Sequence, residues 1–201
     1  MPPHREWGRD IEMRSLVSVR CRALLLALLV GLVACSSPQP APAVFDFGPR
    51  PTTPAPRAQL QLLDVTAPPW LAGSGLAYRL EYRDPFRREV YRDSRWAAPP
   101  ADLLAERLRQ RAAQVATSLA ATGVPVQVRV ELEDCSQIFS SPIQSRVVLR
   151  LRAWRGDQAS PKVFEVSEAA PSPDAAGAVQ GLSRAADALI DQVLAWAGTP
   201  P

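Results

Sequence analysis

Three stretches of the chain alternate apolar and polar residues with a period of two. Leu76, Tyr78, Leu80 and Tyr82 fall on one side, with Arg79, Glu81 and Arg83 on the other. Val126, Val128, Val130 and Leu132 alternate with Gln127, Arg129, Glu131 and Glu133. Val147, Leu149, Leu151 and Ala153 alternate with Arg150 and Arg152, following Arg146. This periodicity predicts half-buried strands. Asp84-Pro85-Phe86-Arg87 predicts a turn, after which Glu89 to Arg92 returns as a shorter strand. Gly156-Asp157 marks a second turn before a strand over Val163 to Val166. Gln59 to Val65 is apolar on both faces, which predicts a first strand in a central position.

Two stretches take the helical period instead. After Pro99-Pro100, Leu104, Leu108, Ala112, Val115 and Leu119 form one stripe, and Gly123 and Pro125 end it. The second helix is expected to open with Ser172 as N-cap and Pro173 at the first helical position. Its apolar side is Val179, Leu182, Ala186, Leu189, Ile190, Val193 and Trp196 or Ala197, and Gly198-Thr199-Pro200 stops it. The order β-β-β-α-β-β-β-α predicts an α+β two-layer sandwich. One mostly antiparallel sheet carries both helices on its apolar face and leaves its Arg/Glu face to solvent.

Upstream of this domain the pattern changes twice. Ala23 to Leu32 is an uncharged apolar run preceded by Arg14, Arg20 and Arg22, and Leu32-Val33-Ala34-Cys35 follows it. A basic segment, a short apolar core and a small-residue cleavage site make a secretory signal. Ten apolar residues span about half of the roughly 20 that a membrane helix needs. The Cys at the boundary is that of a bacterial lipoprotein: residues 1–34 are removed, Cys35 carries the acyl chains, and two or three chains anchor stably. Met13 begins a signal of ordinary length by itself. Ser36, rather than an Asp, follows Cys35, so the expected location is the periplasmic face of the outer membrane. Residues 36–57 hold seven prolines and read as an extended spacer. With Cys35 they form the linker, and residues 58–198 form the domain. A spacer of 22 residues at about 3.1 Å each spans several tens of Å. Within it, Phe45-Asp46-Phe47-Gly48-Pro49 fits either a short edge strand laid on the domain or a docking peptide for a neighbouring subunit.

Removal of the signal leaves 167 residues, enough for one domain. The 18 basic and 17 acidic residues left do not mark a nucleic-acid binder. With Cys21 removed and Cys35 acylated, Cys135 stands alone, so the core forms without an internal disulfide. His4, the sole histidine, lies in the removed segment, so neither a Ser-His or Cys-His pair nor an imidazole metal site is available. No cofactor is expected. Cys135 follows Glu133-Asp134 at an expected strand end, where acidic neighbours disfavour a thiolate, and reads as an inert structural residue.

Several segments together resemble the family of ABC-type transport auxiliary lipoproteins, of the paraquat-inducible C lipoprotein type. They are the lipobox with its Pro-rich spacer, the Phe45 to Pro49 strip, and the Leu62 to Leu80 stretch with Pro68-Pro69-Trp70-Leu71. Tyr91-Arg92-Asp93-Ser94-Arg95-Trp96-Ala97-Ala98-Pro99 leading into a Leu-rich helix, and Trp196 near the end, complete them. The resemblance spans most of residues 45–197. It implies a non-catalytic accessory of an envelope lipid-transport system built on mammalian-cell-entry (MCE) domain proteins and their ABC transporter. It supplies no catalytic residues.

The residues offered for partner contact are Trp70 in its Pro-Pro turn, Ile138 and Phe139 in an expected loop, and Phe45 and Phe47 in the spacer. A homo-oligomer is compatible with the last two. Core-covering loops are the plainer reading of Trp70, Ile138 and Phe139, and packing beneath the first helix that of Trp96. The Arg/Glu sheet face reads first as cross-strand ion pairs, and second as a headgroup or acidic-partner contact. Two other functions fit the same anchor and small domain. One is a regulator of cell-wall synthesis; the other is a carboxylate-based glycan hydrolase, disfavoured because no acidic pair sits in a recognisable motif.

Overall fold

The computed structural model describes residues 40–49, 51–53, 59–118 and 125–199. Cys35, the signal segment, Leu119 and the Gly123 stop lie outside these residues. The elements belong to one unit, Pro42–Pro201. They are β1 (Ala43–Phe45), β2 (Leu60–Thr66), a single 3-10 turn (Pro69–Leu71), β3 (Gly75–Leu80), β4 (Glu89–Trp96), α1 (Pro100–Ser118), β5 (Val126–Ser141), β6 (Gln144–Arg155), β7 (Lys162–Ala169) and α2 (Ala175–Ala197).

Strand β5 organises a seven-stranded mixed sheet. One edge of β5 pairs antiparallel with β6 from Val128↔Arg155 to Ser141↔Gln144, and β6 pairs antiparallel with β7. Its other edge is shared. β2 runs parallel to residues 126–131, and β3 runs parallel to residues 136–139. β4 pairs antiparallel with β3, and β1 pairs parallel with β4. The two-layer α+β architecture is as expected, with the long ladders antiparallel and three shorter ones parallel. β2 is not central: it pairs only with β5 among the described strands, and Leu63 on it is exposed. Its apparent second apolar face comes from a register shift between Leu62 and Asp64, which puts Val65 on the core side with Leu60 and Leu62, under α1, and leaves Leu63 outside.

β5 is longer than its visible alternation because the register shifts between Leu132 and Asp134. A bulge inserts one residue and reverses which face the following side chains take. Val128, Val130, Leu132, Cys135 and Phe139 therefore all point to the helix side, where period-two counting from Val126 sends Cys135 and Phe139 the other way. The expected loop at Ile138-Phe139 is strand, and both side chains are buried, at 8% and 6% exposed. Cys135 is fully buried mid-strand rather than at a strand end.

Both helices cover the apolar face. α1 packs over β2 and β5, and α2 over β5, β6 and β7. Leu182, Leu189, Ile190, Val193 and Leu194 of α2 are wholly buried, each worth about 1.5–3 kcal/mol of transfer free energy. Gly181 sets the closeness of α2 to β6, since a Cβ there would stand 2.8 Å from Val147 Cγ1. Trp96 is buried beneath this layer and contacts Phe47, with ring centroids 5.4 Å apart. Residues 43–49 thus belong to the sheet and core, although their proline-rich surroundings read as spacer. The strip is an edge strand laid on the domain.

The helix cap differs from the expected one by two residues. Asp174 is the N-cap of α2, its Oδ1 accepting from the Gly177 N–H at 2.7 Å, and Ser172 Oγ donates to the same oxygen at 2.7 Å. These bonds, the Gly177 N–H first, hold the Asp174 carboxyl below the usual carboxylate range. A depressed folded-state pKa contributes stability above the unfolded value, about 3.9, that disappears as pH falls through the folded value. Asp174→Ala is expected to lower stability by about 1 kcal/mol at pH 7. Urea titrations of both proteins should converge as pH falls below the unfolded value of about 3.9 and through the lowered pKa of the folded cap. A constant difference down to pH ~2 would refute the assignment.

Candidate functional site

Arginine and aspartate meet twice between the helices. Arg107 and Arg111 lie one turn apart on α1, Asp187 and Asp191 one turn apart on α2, so each pair faces its counterpart across the helix contact. Arg107 donates from Nε and Nη2 to the two Asp187 oxygens at 2.8 and 3.0 Å. Arg111 donates likewise to Asp191 at 2.8 and 2.9 Å. Both guanidinium groups are buried while the carboxylates keep some solvent contact. Hydrogen bonding to Asp191 raises the Arg111 pKa further.

The remaining guanidinium donors reach the chain before β2. Arg107 Nη1 donates to Gly48 O at 3.1 Å and Nη2 to Pro49 O at 2.7 Å. Arg111 Nη1 donates to Thr53 O at 2.6 Å. Ser183 Oγ on α2 donates to Phe47 O at 2.5 Å. The main chain at Phe47, Gly48, Pro49 and Thr53 is therefore clamped over the groove between the helices. Carbonyls of a Pro-rich segment find few backbone donors, and here two arginines supply them.

The opposite face of the sheet is a lattice of ion pairs. Arg150 bridges Glu133 and Glu165, Arg152 bridges Glu131 and Glu133, and Arg146 meets Glu81. Such pairs are half-exposed and individually worth at most about 1 kcal/mol. At its margin Arg88 pairs with Asp134 at 3.3 Å and stacks on Trp70, with its guanidinium carbon 3.6 Å from the ring centroid. Trp70 remains 48% exposed, an aromatic plate held rigid by a cation.

Of the other residues named from the sequence, Phe45 is half-buried at the β1 edge and Phe47 is buried in the core. Trp70 alone of the expected contact residues presents a large exposed surface. Ile138 and Phe139 are too buried to serve, and Cys35 lies outside the described residues. Burial and the Asp134 charge push the Cys135 thiol pKa strongly upward. Among the described residues no group of three His, Cys, Asp or Glu converges to hold a metal ion, and no helix is long and apolar enough to cross a membrane. The clefts are shallow; one of about 480 Å³ lies between the β5–β6 turn and the segment leading into α2, lined by Ile143, Ser145, Glu168 and Ser172 among others.

The fold and its arginine clamp define a two-layer α+β domain whose N-terminal strap is built into the sheet. The model of the ABC-type transport auxiliary lipoprotein component matches residues 45–194, and the chain belongs to that family. The match begins within β1, so the clamped strap is part of the family domain. Two crystal structures have a similar fold. Protein XCC0632 from Xanthomonas campestris, of the DUF330 family, is 17% identical with a TM-score of 0.56, over 78% of this chain and 92% of its own. An uncharacterized protein is 13% identical with a TM-score of 0.57, over 77% of this chain and 97% of its own. No curated protein matches significantly.

Arg107 and Arg111 were not singled out by the sequence pattern. Removing one charge strands a carboxylate and backbone carbonyls together, so Arg111→Met is expected to cost about 3 kcal/mol, read as a lower urea midpoint. Replacing both arginines and both aspartates with Met and Leu should restore stability while opening the strap at Gly48, Pro49 and Thr53 to proteolysis. Retained protection in that quadruple variant would show that the clamp does not hold the strap.

Proposed function

We propose that the protein is a lipid-anchored, non-catalytic accessory that docks an MCE-type ABC system for lipids at the periplasmic face of the outer membrane. The observation that carries this reading is the family match over residues 45–194. The lipobox ending at Cys35 supplies the anchor, and Ser36 in place of an acidic retention residue favours the outer membrane. A binding role is further supported by the way the polar groups are used. The buried arginines, Gln137 and Tyr91 all serve internal hydrogen bonds: Gln137 Oε1 accepts from Tyr91 Oη at 2.7 Å and its amide donates to Ser145 Oγ at 2.8 Å.

The surface that best fits a protein partner is Trp70 with Arg88. Aromatic and Arg side chains dominate interface energetics, and this pair is already ordered, so little entropy is lost when it is covered. The open edges at β1 and β7 suit self-association by strand pairing.

In-cell crosslinking is expected to capture an MCE-domain protein. Trp70→Ala should weaken that capture by about 2 kcal/mol, near thirtyfold in affinity, at unchanged melting temperature. Recovery of wall synthases instead, or a purified domain that turns over wall glycan, would overturn the model. Cys35→Ser is expected to leave the chain uncleaved or soluble in the periplasm. Mass spectrometry of the wild-type membrane fraction checks this: an unmodified Cys35 there contradicts the anchor, and co-fractionation with inner-membrane markers contradicts the location.

A further inference from the structure

One end of the sheet collects the most exposed apolar side chains of the described residues. Phe86, 92% exposed, lies in the β3–β4 turn, and Ile143, 79% exposed, lies in the β5–β6 turn. Tyr82 is exposed in the first of these turns, flanked by Glu81 and Arg83. The two turns are neighbours, because β3 and β5 run parallel with Leu80 opposite Phe139, so both strands finish at the same end. Isolated exposed apolar residues are ordinary, but two adjacent turns each tipped by one are a patch in need of a partner.

The direction of β1 selects that partner. β1 is parallel to β4, β4 is antiparallel to β3, and β3 runs toward the tips. The chain therefore enters β1 from the side of the tips. Val44 lies level with Gly75, since both pair with Arg95, and five residues separate Gly75 from Leu80. At about 3.3 Å per residue the tips stand roughly 15–20 Å beyond the start of β1. Eight residue steps separate Cys35 from Ala43 and span at most about 28 Å. A tether that leaves toward the tips thus reaches past them by only about 10 Å. The opposite end, at the Gly156-Asp157 turn level with Gln127, is seven residues or about 23 Å the other way. To place that end on the membrane the tether would have to reverse at β1 and run fully extended back along the domain, with only about 5 Å of chain left for the reversal itself.

We infer that the β3–β4 and β5–β6 turns rest in the bilayer interface, with Phe86, Ile143 and Tyr82 among the acyl boundary and Arg83 and Arg87 at headgroup level. Aromatic rings suit that depth, and arginine can extend its head to water while its stem stays apolar. The domain then lies on the membrane rather than standing off it. This inference rests on acylation of Cys35.

The test uses the full lipidated chain in phospholipid vesicles. Phe86→Cys, Ile143→Cys and, at the far end, Asp157→Cys are each labelled with an environment-sensitive fluorophore; Cys135 is buried and does not label. Labels at 86 and 143 are expected to shift to the blue and lose about half or more of their emission to a lipid-borne quencher, as for groups ~5–10 Å into the interface. The label at 157 should show neither change. Mass spectrometry of the same samples reads the acyl chains on Cys35. Samples lacking them overturn the anchor reading. Acylated samples in which labels 86 and 143 match label 157, or in which label 157 alone is quenched, overturn the orientation.

Discussion

The double Arg–Asp contact between α1 and α2 is the constraint on which the layout of the domain depends. Taken alone, a buried ion pair is poor evidence of stability, because desolvation offsets much of the attraction and apolar replacements are often neutral. Its effect here is one of position. Two bidentate forks spaced one turn apart on each helix admit one register, since a slip of either helix by a turn leaves one Arg and one Asp unpaired. With register fixed, the outer guanidinium nitrogens face away from both helices at a set distance, and there they meet the carbonyls of Gly48, Pro49 and Thr53. Helix pairing and strap position are consequently one interaction, and neither can be changed without the other.

The clamp explains how a strand of three residues persists at a sheet edge. β1 pairs with β4 over Ala43 to Phe45 only, too few hydrogen bonds to order a chain against its entropy. Phe47 packing on Trp96, followed by the arginine contacts, orders the chain just beyond it. Most of the entropy loss is thus offset downstream, and β1 adds its bonds to backbone already held. β5 has a related economy. Its bulge at residues 132–134 bends the strand where its neighbour changes from β2 to β3, so one strand serves two partners along one edge.

Much of this was legible from periodicity. The strand over Val147 to Ala153, the apolar side of α2 and the ion-paired face follow from alternation alone, because each rests on side chains that repeat over several turns or pleats. What failed did so where a single residue changes the phase. The bulge after Leu132 hid the second half of β5, turning Ile138 and Phe139 from an imagined loop into buried strand. Asp174 took the cap from Ser172 because the segment stays extended through Asp174 and the helix starts two residues later than Pro173 suggests. Arg107 and Arg111 read as polar helix positions, and nothing local distinguishes a solvated Arg from one paired with a residue 80 positions away. The repeated Arg-x-x-x-Arg and Asp-x-x-x-Asp spacings beside apolar stripes were the available signal. Proline content misassigned residues 43–49 and Thr53, since composition records which segments lack their own secondary structure and says nothing about what another element may hold.

With Cys35 acylated as proposed, the ordered strap changes what the anchor means. A free spacer of 22 residues leaves a domain's orientation unconstrained, because flexible chain transmits distance and no angle. Holding residues 43–49 and Thr53 on the domain leaves only the stretch between Cys35 and β1 as tether, and the direction of β1 sets the side from which the chain enters the sheet. A tether barely longer than the gap it must cross acts as an orienting device. In the proposed arrangement the apolar turns meet lipid, and the far end of the sheet projects into the periplasm. The Trp70–Arg88 plate then lies on a sheet face that runs along the membrane normal. An accessory so held offers its partner an approach direction as well as an address, which an enzyme acting on diffusing substrate does not require. The arginines between the helices, remote from lipid and partner alike, would then determine how far the domain stands from its membrane.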